Sequence, residues 1–151
     1  MVVVAGSACS WAKKTAHALT PQPDPPEDIR WNGVLFLPTD TLADTATMPY
    51  ATAWMAPVAP NNVIRARVML VRARPGARFE WRVHLGKCVD DRGVFGPLTA
   101  YPTLVADSAG SAVGVALLQL GFPNNGAYFV RVDPVDSGLP DPLCGTLVKP
   151  G

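Results

Sequence analysis

The sequence predicts an all-β domain, an antiparallel sandwich or barrel built from short strands. Three observations carry that expectation. Two stretches repeat apolar residues with a period of two, the signature of a strand with one buried face. The chain holds 16 prolines, a density that disfavours long helices and interior sheet positions. Clusters of Gly, Asn, Asp and Pro recur between the apolar runs and mark turns. No amphipathic helix of ordinary length and no internal repeat can be read.

The clearest strands lie mid-chain. In Asn62–Ala73 the residues Ile64, Ala66, Val68 and Leu70 fall on one face, with Arg65 and Arg67 opposite. Pro75-Gly76 supplies a turn. In Phe79–Gly86 the alternation continues, with Phe79, Trp81, Val83 and Leu85 inward and Glu80, Arg82 and His84 outward. These two runs are expected to pair as a hairpin with an apolar inner face. Further strands are expected at Leu104–Ala106, Ala112–Leu120 and Ala127–Asp133, separated by the turns Asp107–Gly110 and Pro123–Gly126. A last short strand follows Cys144.

With 151 residues the chain suits one domain. Its 13 Lys and Arg balance 12 Asp and Glu, leaving a net charge of +1 and no electrostatic reason to expect nucleic acid as a partner. No run of apolar residues reaches the ~18 that a spanning helix needs.

The amino terminus reads as an export signal or lipoprotein-type anchor over residues 1–15. A short apolar run and small residues precede Cys9, which is the expected lipidation site. Gly6 stands three positions before Cys9 where leucine is usual, and no basic residue precedes the apolar run. Trp11, Lys13 and Lys14 suit a membrane interface. Residues 16–28, with four prolines, read as a stiff extended tether. The folded domain is then expected over 29–151. An odd cysteine count in an exported protein implies one pair plus one cysteine with a separate fate, here Cys9 beside Cys88 and Cys144.

WRVHLGKC, the Gly/Pro-rich loop after it, the strand GAYFVRV and the terminal CGTL together resemble the copper-zinc superoxide dismutase-like fold and the related chordin-type domains. The resemblance spans Asn62 to Val148. It implies a Greek-key sandwich or barrel. It also implies a disulfide between Cys88 and Cys144; two free buried cysteines are the alternative.

The metal chemistry of those relatives does not carry over. Their copper needs several imidazoles, and this chain has two histidines. His84 matches the second position of the His-x-His pair, but Arg82 stands at the first. The following loop has no histidine, Asp133 stands where a late ligand belongs, and His17 lies in the tether. His84 and Asp133 are the weak metal candidates. Asp90, Asp91, Asp133 and Asp136 offer oxygen for a hard cation, or serve as turn formers. No GxSxG, phosphate-binding loop or Cys–His nucleophile pair is present.

The sequence therefore points to a non-enzymatic β-sandwich without a cofactor, tethered at a membrane on the periplasmic or extracellular face. Its expected role is an accessory or structural subunit of a larger membrane-associated assembly. Its partners would be the membrane surface and the other subunits. The alternative is a periplasmic copper-binding protein derived from a dismutase-like fold. The segments WNGVLFLP and MPYATAWMAPVAP place Tyr50, Trp54, Met48 and Met55 among prolines, and they read either as exposed adhesive loops or as caps on the open end of the sandwich. Trp11, Tyr50, Trp54 and Met55 are the candidate interaction residues.

Overall fold

A computed structural model of the chain describes residues 22–37, 48–59, 63–136, 138 and 141–151. Among them nine strands form two antiparallel sheets packed face to face, an all-β sandwich. The strands are β1 (Trp31–Leu35), β2 (Tyr50–Val58), β3 (Val63–Val71), β4 (Arg78–Lys87), β5 (Asp90–Val94), β6 (Leu104–Val105), β7 (Ala112–Leu118), β8 (Tyr128–Pro134) and β9 (Leu143–Leu147). The first sheet runs β1-β2-β3-β7 and the second β5-β4-β8-β9, with β6 beside the start of β4.

Period-two burial sets the register. In β3 the inward residues Ile64, Ala66, Val68 and Leu70 are fully buried. They stand opposite Leu118, Ala116, Gly114 and Ala112 of β7. In β4, Phe79, Trp81 and Val83 are buried as the alternation requires, opposite Pro134, Val132 and Val130 of β8. A one-residue slip would turn these sets outward, so the apolar pattern holds each strand in place.

The expected β3–β4 hairpin does not form. β3 pairs with β2 and β7, whereas β4 pairs with β5, β6 and β8. The Pro75-Gly76 turn instead carries the chain from one sheet to the other, with Gly76 at φ 78° and its N–H bonded to the Ala106 carbonyl. Two strands with one apolar face each can direct those faces into one core either side by side in one sheet or from opposite sheets. Here they lie in opposite sheets.

The sheets also meet at a seam. Asn32 bridges Val148 and Phe36 bridges Cys144, which joins β1 to β9. Glycine permits this close approach: a Cβ on Gly33 would lie 2.7 Å from the Thr146 carbonyl oxygen, and one on Gly145 would overlap the carbonyl oxygen of Val34.

WNGVLFLP and the segment around Trp54 are not the loops the prolines suggested. They supply β1 and the nine-residue β2, where the side chains alternate across the sheet. Met55 points inward opposite Trp31 and Ala66 and is fully buried. Trp54 lies on the outer face and is also buried.

Candidate interaction surface

The outer face of the first sheet is built from the alternate residues of its four strands. One row across it reads Asn32, Trp54, Arg67 and Val115. The next reads Val34, Thr52, Met69 and Val113, and a third contains Ala56, Arg65 and Leu117. Val34, Met69, Val113, Val115 and Leu117 are each more than a third exposed. A sheet face normally leaves polar side chains to water, so these apolar side chains form a surface that the described residues leave uncovered.

Trp54 sits beneath two guanidinium groups. Arg65 Cζ lies 5.3 Å and Arg30 Cζ 5.7 Å from its ring centroid. Each contact is a cation–π interaction of about 0.5–2 kcal/mol, stronger as water is excluded. Arg65 is only 5% exposed. Its terminal nitrogen donates to the Pro23 carbonyl at 2.6 Å, so its charge rests on a ring face and a carbonyl. Among the described residues, the indole N–H of Trp54 and the Nε groups of Arg30 and Arg65 are buried without a hydrogen-bond partner.

The described end of the proline-rich segment crosses this face as a strap. Besides the Arg65–Pro23 bond, Asp24 pairs with Arg67 at 3.3 Å, Glu27 pairs with Arg30 at 3.3 Å, and Pro25 is buried. A shallow groove lies on each side. One, of about 450 Å³, is lined by Asn32, Thr52, Trp54 and Thr146 with Arg30 and Arg67. The other, of about 400 Å³, is lined by Asp24, Arg65 and Arg67 with Val113, Val115 and Leu117. Arg67 borders both.

Tyr50 is half-buried on the same sheet face, with Arg72 Cζ 5.1 Å from its ring centroid. Of the four candidate interaction residues, Tyr50 and Trp54 are thus on one face. Met55 is in the core because strand alternation turns it inward, and this corrects its reading as an adhesive side chain. Cys9, Trp11 and His17 lie outside the described residues.

The outer face of the second sheet carries a different arrangement. Glu80, Arg82 and His84 of β4 stand opposite Asp133, Arg131 and Phe129 of β8. Arg82 pairs with Glu80 at 2.9 Å and Arg131 with Asp133 at 2.8 Å. His84 is on the outer face as its period requires, yet it is only 8% exposed. Its ring stacks on Phe129 at 4.9 Å, and its Nδ1 lies 3.0 Å from Asp91 Oδ1. The backbone N–H of Gly93, and then His84, hold the Asp91 carboxyl below the usual carboxylate range. The disulfide between Cys88 and Cys144 lies on this side, where Cys144 is opposite Arg131.

His84 and Asp133 are not brought together. They lie four register positions apart along β4 and β8, about 13 Å at ~3.3 Å per residue, and each has its own partner. The Nε2 of His84 is buried without a hydrogen bond among the described residues. A copper site built on imidazole needs more than this one ring. Arg82 and Arg131 share its sheet face, and no three His, Cys, Asp or Glu side chains cluster among the described residues. Among the described residues, His84 and Asp133 therefore do not form a shared copper site.

Sequence reasoning missed Arg30, Arg65 and Arg67 as a group. The alternation of Arg65 and Arg67 with apolar residues was visible, but the cross-strand register that sets Arg67 beside Trp54 is a property of the sheet. No family model, no curated protein and no solved structure matches the chain.

Proposed function

We propose that this chain is a non-enzymatic, extracytoplasmic interaction domain held at a membrane, and that it serves as an accessory or structural subunit of a larger assembly. Its docking face is the outer side of the first sheet. One observation carries this reading: a Trp–Arg platform and an exposed apolar row share one sheet face, in two grooves beside a strap. Tryptophan, arginine and methionine are the residues enriched at interface centres, where lysine and glutamate are depleted. The leader-like start with Cys9 and the proline-rich segment support attachment near a membrane.

The test is fractionation and cross-linking of the full chain in its native host. The protein is expected with membranes, cross-linked to other subunits. Cys9→Ala should weaken the membrane association, and Arg67→Glu and Val34→Glu should abolish the cross-links while leaving circular dichroism unchanged. A wholly soluble extracytoplasmic protein without cross-linked partners would overturn the reading.

A further inference from the structure

The inference concerns the free edge of the first sheet and does not depend on the accessory-subunit reading. Among the described residues β7 pairs with β3 alone, through an unbroken register from Ala112 to Leu118. Among the described residues no strand pairs with its other edge, whose backbone groups are a template for another strand. Natural edges are protected by lysine, proline, a bulge or shortness. β7 reads AVGVALL, has no charge and no proline, and keeps seven residues in regular register. The strand's outward residues Val113, Val115 and Leu117 are 53%, 44% and 54% exposed.

The sequence of this edge selects its occupant. About Val115 the strand is nearly palindromic in side-chain size. Antiparallel pairing of two copies about that point sets Val115 against its own counterpart and Val113 against Leu117. On the inner side it sets Gly114 against Ala116 and Ala112 against Leu118. Large outward residues meet large ones, and the small pair faces a small pair. We infer that β7 is a homodimerisation edge, joining two copies through a two-fold axis at Val115 into one continuous eight-stranded sheet.

Two-fold pairing is closed, because the same strand serves both copies and leaves no further β7 edge. The ladder is short: the Ser111 carbonyl already accepts the Asp107 N–H, so pairing is confined to Ala112–Leu118. An interface of this size falls at the weak end of specific contacts, and the dimer should dissociate on dilution.

Sedimentation equilibrium over a wide concentration range tests the inference. Full-length chains carrying Cys9→Ser are used throughout, so that an intermolecular disulfide cannot imitate pairing. The expected result is a reversible shift from 16.0 kDa to twice that mass and no further. Val115→Lys, and separately Val115→Glu, should weaken dimerisation at least about tenfold by opposing like charges on the axis, with unchanged circular dichroism. Mixing the two variants should restore a dimer, because the axis then pairs lysine with glutamate. Val34→Lys, on the far side of the same face, should have no effect. A monomer at every concentration, open-ended oligomers, or a dimer sensitive to Val34→Lys but not to Val115→Lys would each overturn the inference.

Discussion

Trp81 of β4 and Gly114 of β7 meet across the middle of the sandwich, and the absence of a side chain on one is the space occupied by the other. A Cβ on Gly114 would stand 2.5 Å from the indole nitrogen of Trp81 and 2.7 Å from a methyl of Leu104. The indole is held from its far side: its N–H donates to the Pro102 carbonyl at 3.0 Å, and Tyr101 packs edge-on at 5.2 Å. It cannot shift without breaking that bond.

Gly114→Ala should therefore destabilise the domain, although alanine has the better strand propensity. Overpacking a filled core costs about 1–3 kcal/mol, and the rigid placement of Trp81 points to the upper part of that range. Chemical denaturation measures it. Trp81→Ala should cost about 3–5 kcal/mol. Arg82→Ala should cost well under that, because Arg82 sits on the outer face in a partly exposed pair with Glu80.

The disulfide makes a second, separable contribution. Cys88 and Cys144 are 56 residues apart, and closing a loop of that length stabilises by about 4 kcal/mol, mainly through the unfolded chain. Cys88→Ala/Cys144→Ala should lose most of this in equilibrium unfolding. Mass spectrometry without reductant should find the two cysteines in one cross-linked peptide and Cys9 outside it.

Alkaline pH tests the burial of Tyr101. Its hydroxyl donates to the Phe95 carbonyl, and burial pushes its pKa from 10.0 up to about 12. The unfolded chain then releases this proton before the folded one does. The stabilisation is fully present below pH 10 and is lost between about pH 10 and pH 12, up to about 2 kcal/mol. Tyr101→Phe should flatten that part of the stability profile, at a cost near neutral pH of about 1 kcal/mol for the lost hydrogen bond.

Arg65 holds the strap. Arg65→Ala removes the bond to the Pro23 carbonyl and one face of the Trp54 platform, for about 1–2 kcal/mol. Hydrogen exchange should accelerate over residues 22–28 and stay slow in β3. Arg65→Lys should restore little, since an ammonium lacks the planar group that lies over the ring.

The legible parts of the fold were those where one strand states its own pattern. Ile64 to Leu70 and Phe79 to Val83 show their inward faces directly, and the later strands follow from turns of Gly, Asn and Asp. β2 concealed itself because, of its inward positions Ala51, Ala53, Met55 and Pro57, only Met55 is large and apolar, which gives too weak an alternating signal. The partnership of strands was equally hidden. Local sequence does not distinguish β3 pairing with β4 from β3 stacking over it. The same limit applied to the sites. His84 belonged on the outer face, but its burial comes from Phe129 and Asp91, which two other strands, β8 and β5, deliver. Trp54 stood out by its residue type, while its arginines were fixed by register.

The Cys88–Cys144 link also determines how the chain would bear tension. A pull on its two ends travels from the amino terminus through β4, crosses the sulfur–sulfur bond and leaves through β9. The 56-residue separation between the two cysteines defines a stretch holding β5 to β8 that the covalent path bypasses while the bond is intact. Stretched to its limit, the oxidised chain is shorter than the reduced one by about 200 Å, at ~3.5 Å per residue. If a domain is held at one end by an anchor and gripped along one sheet by its neighbours, it gains a fixed maximum reach.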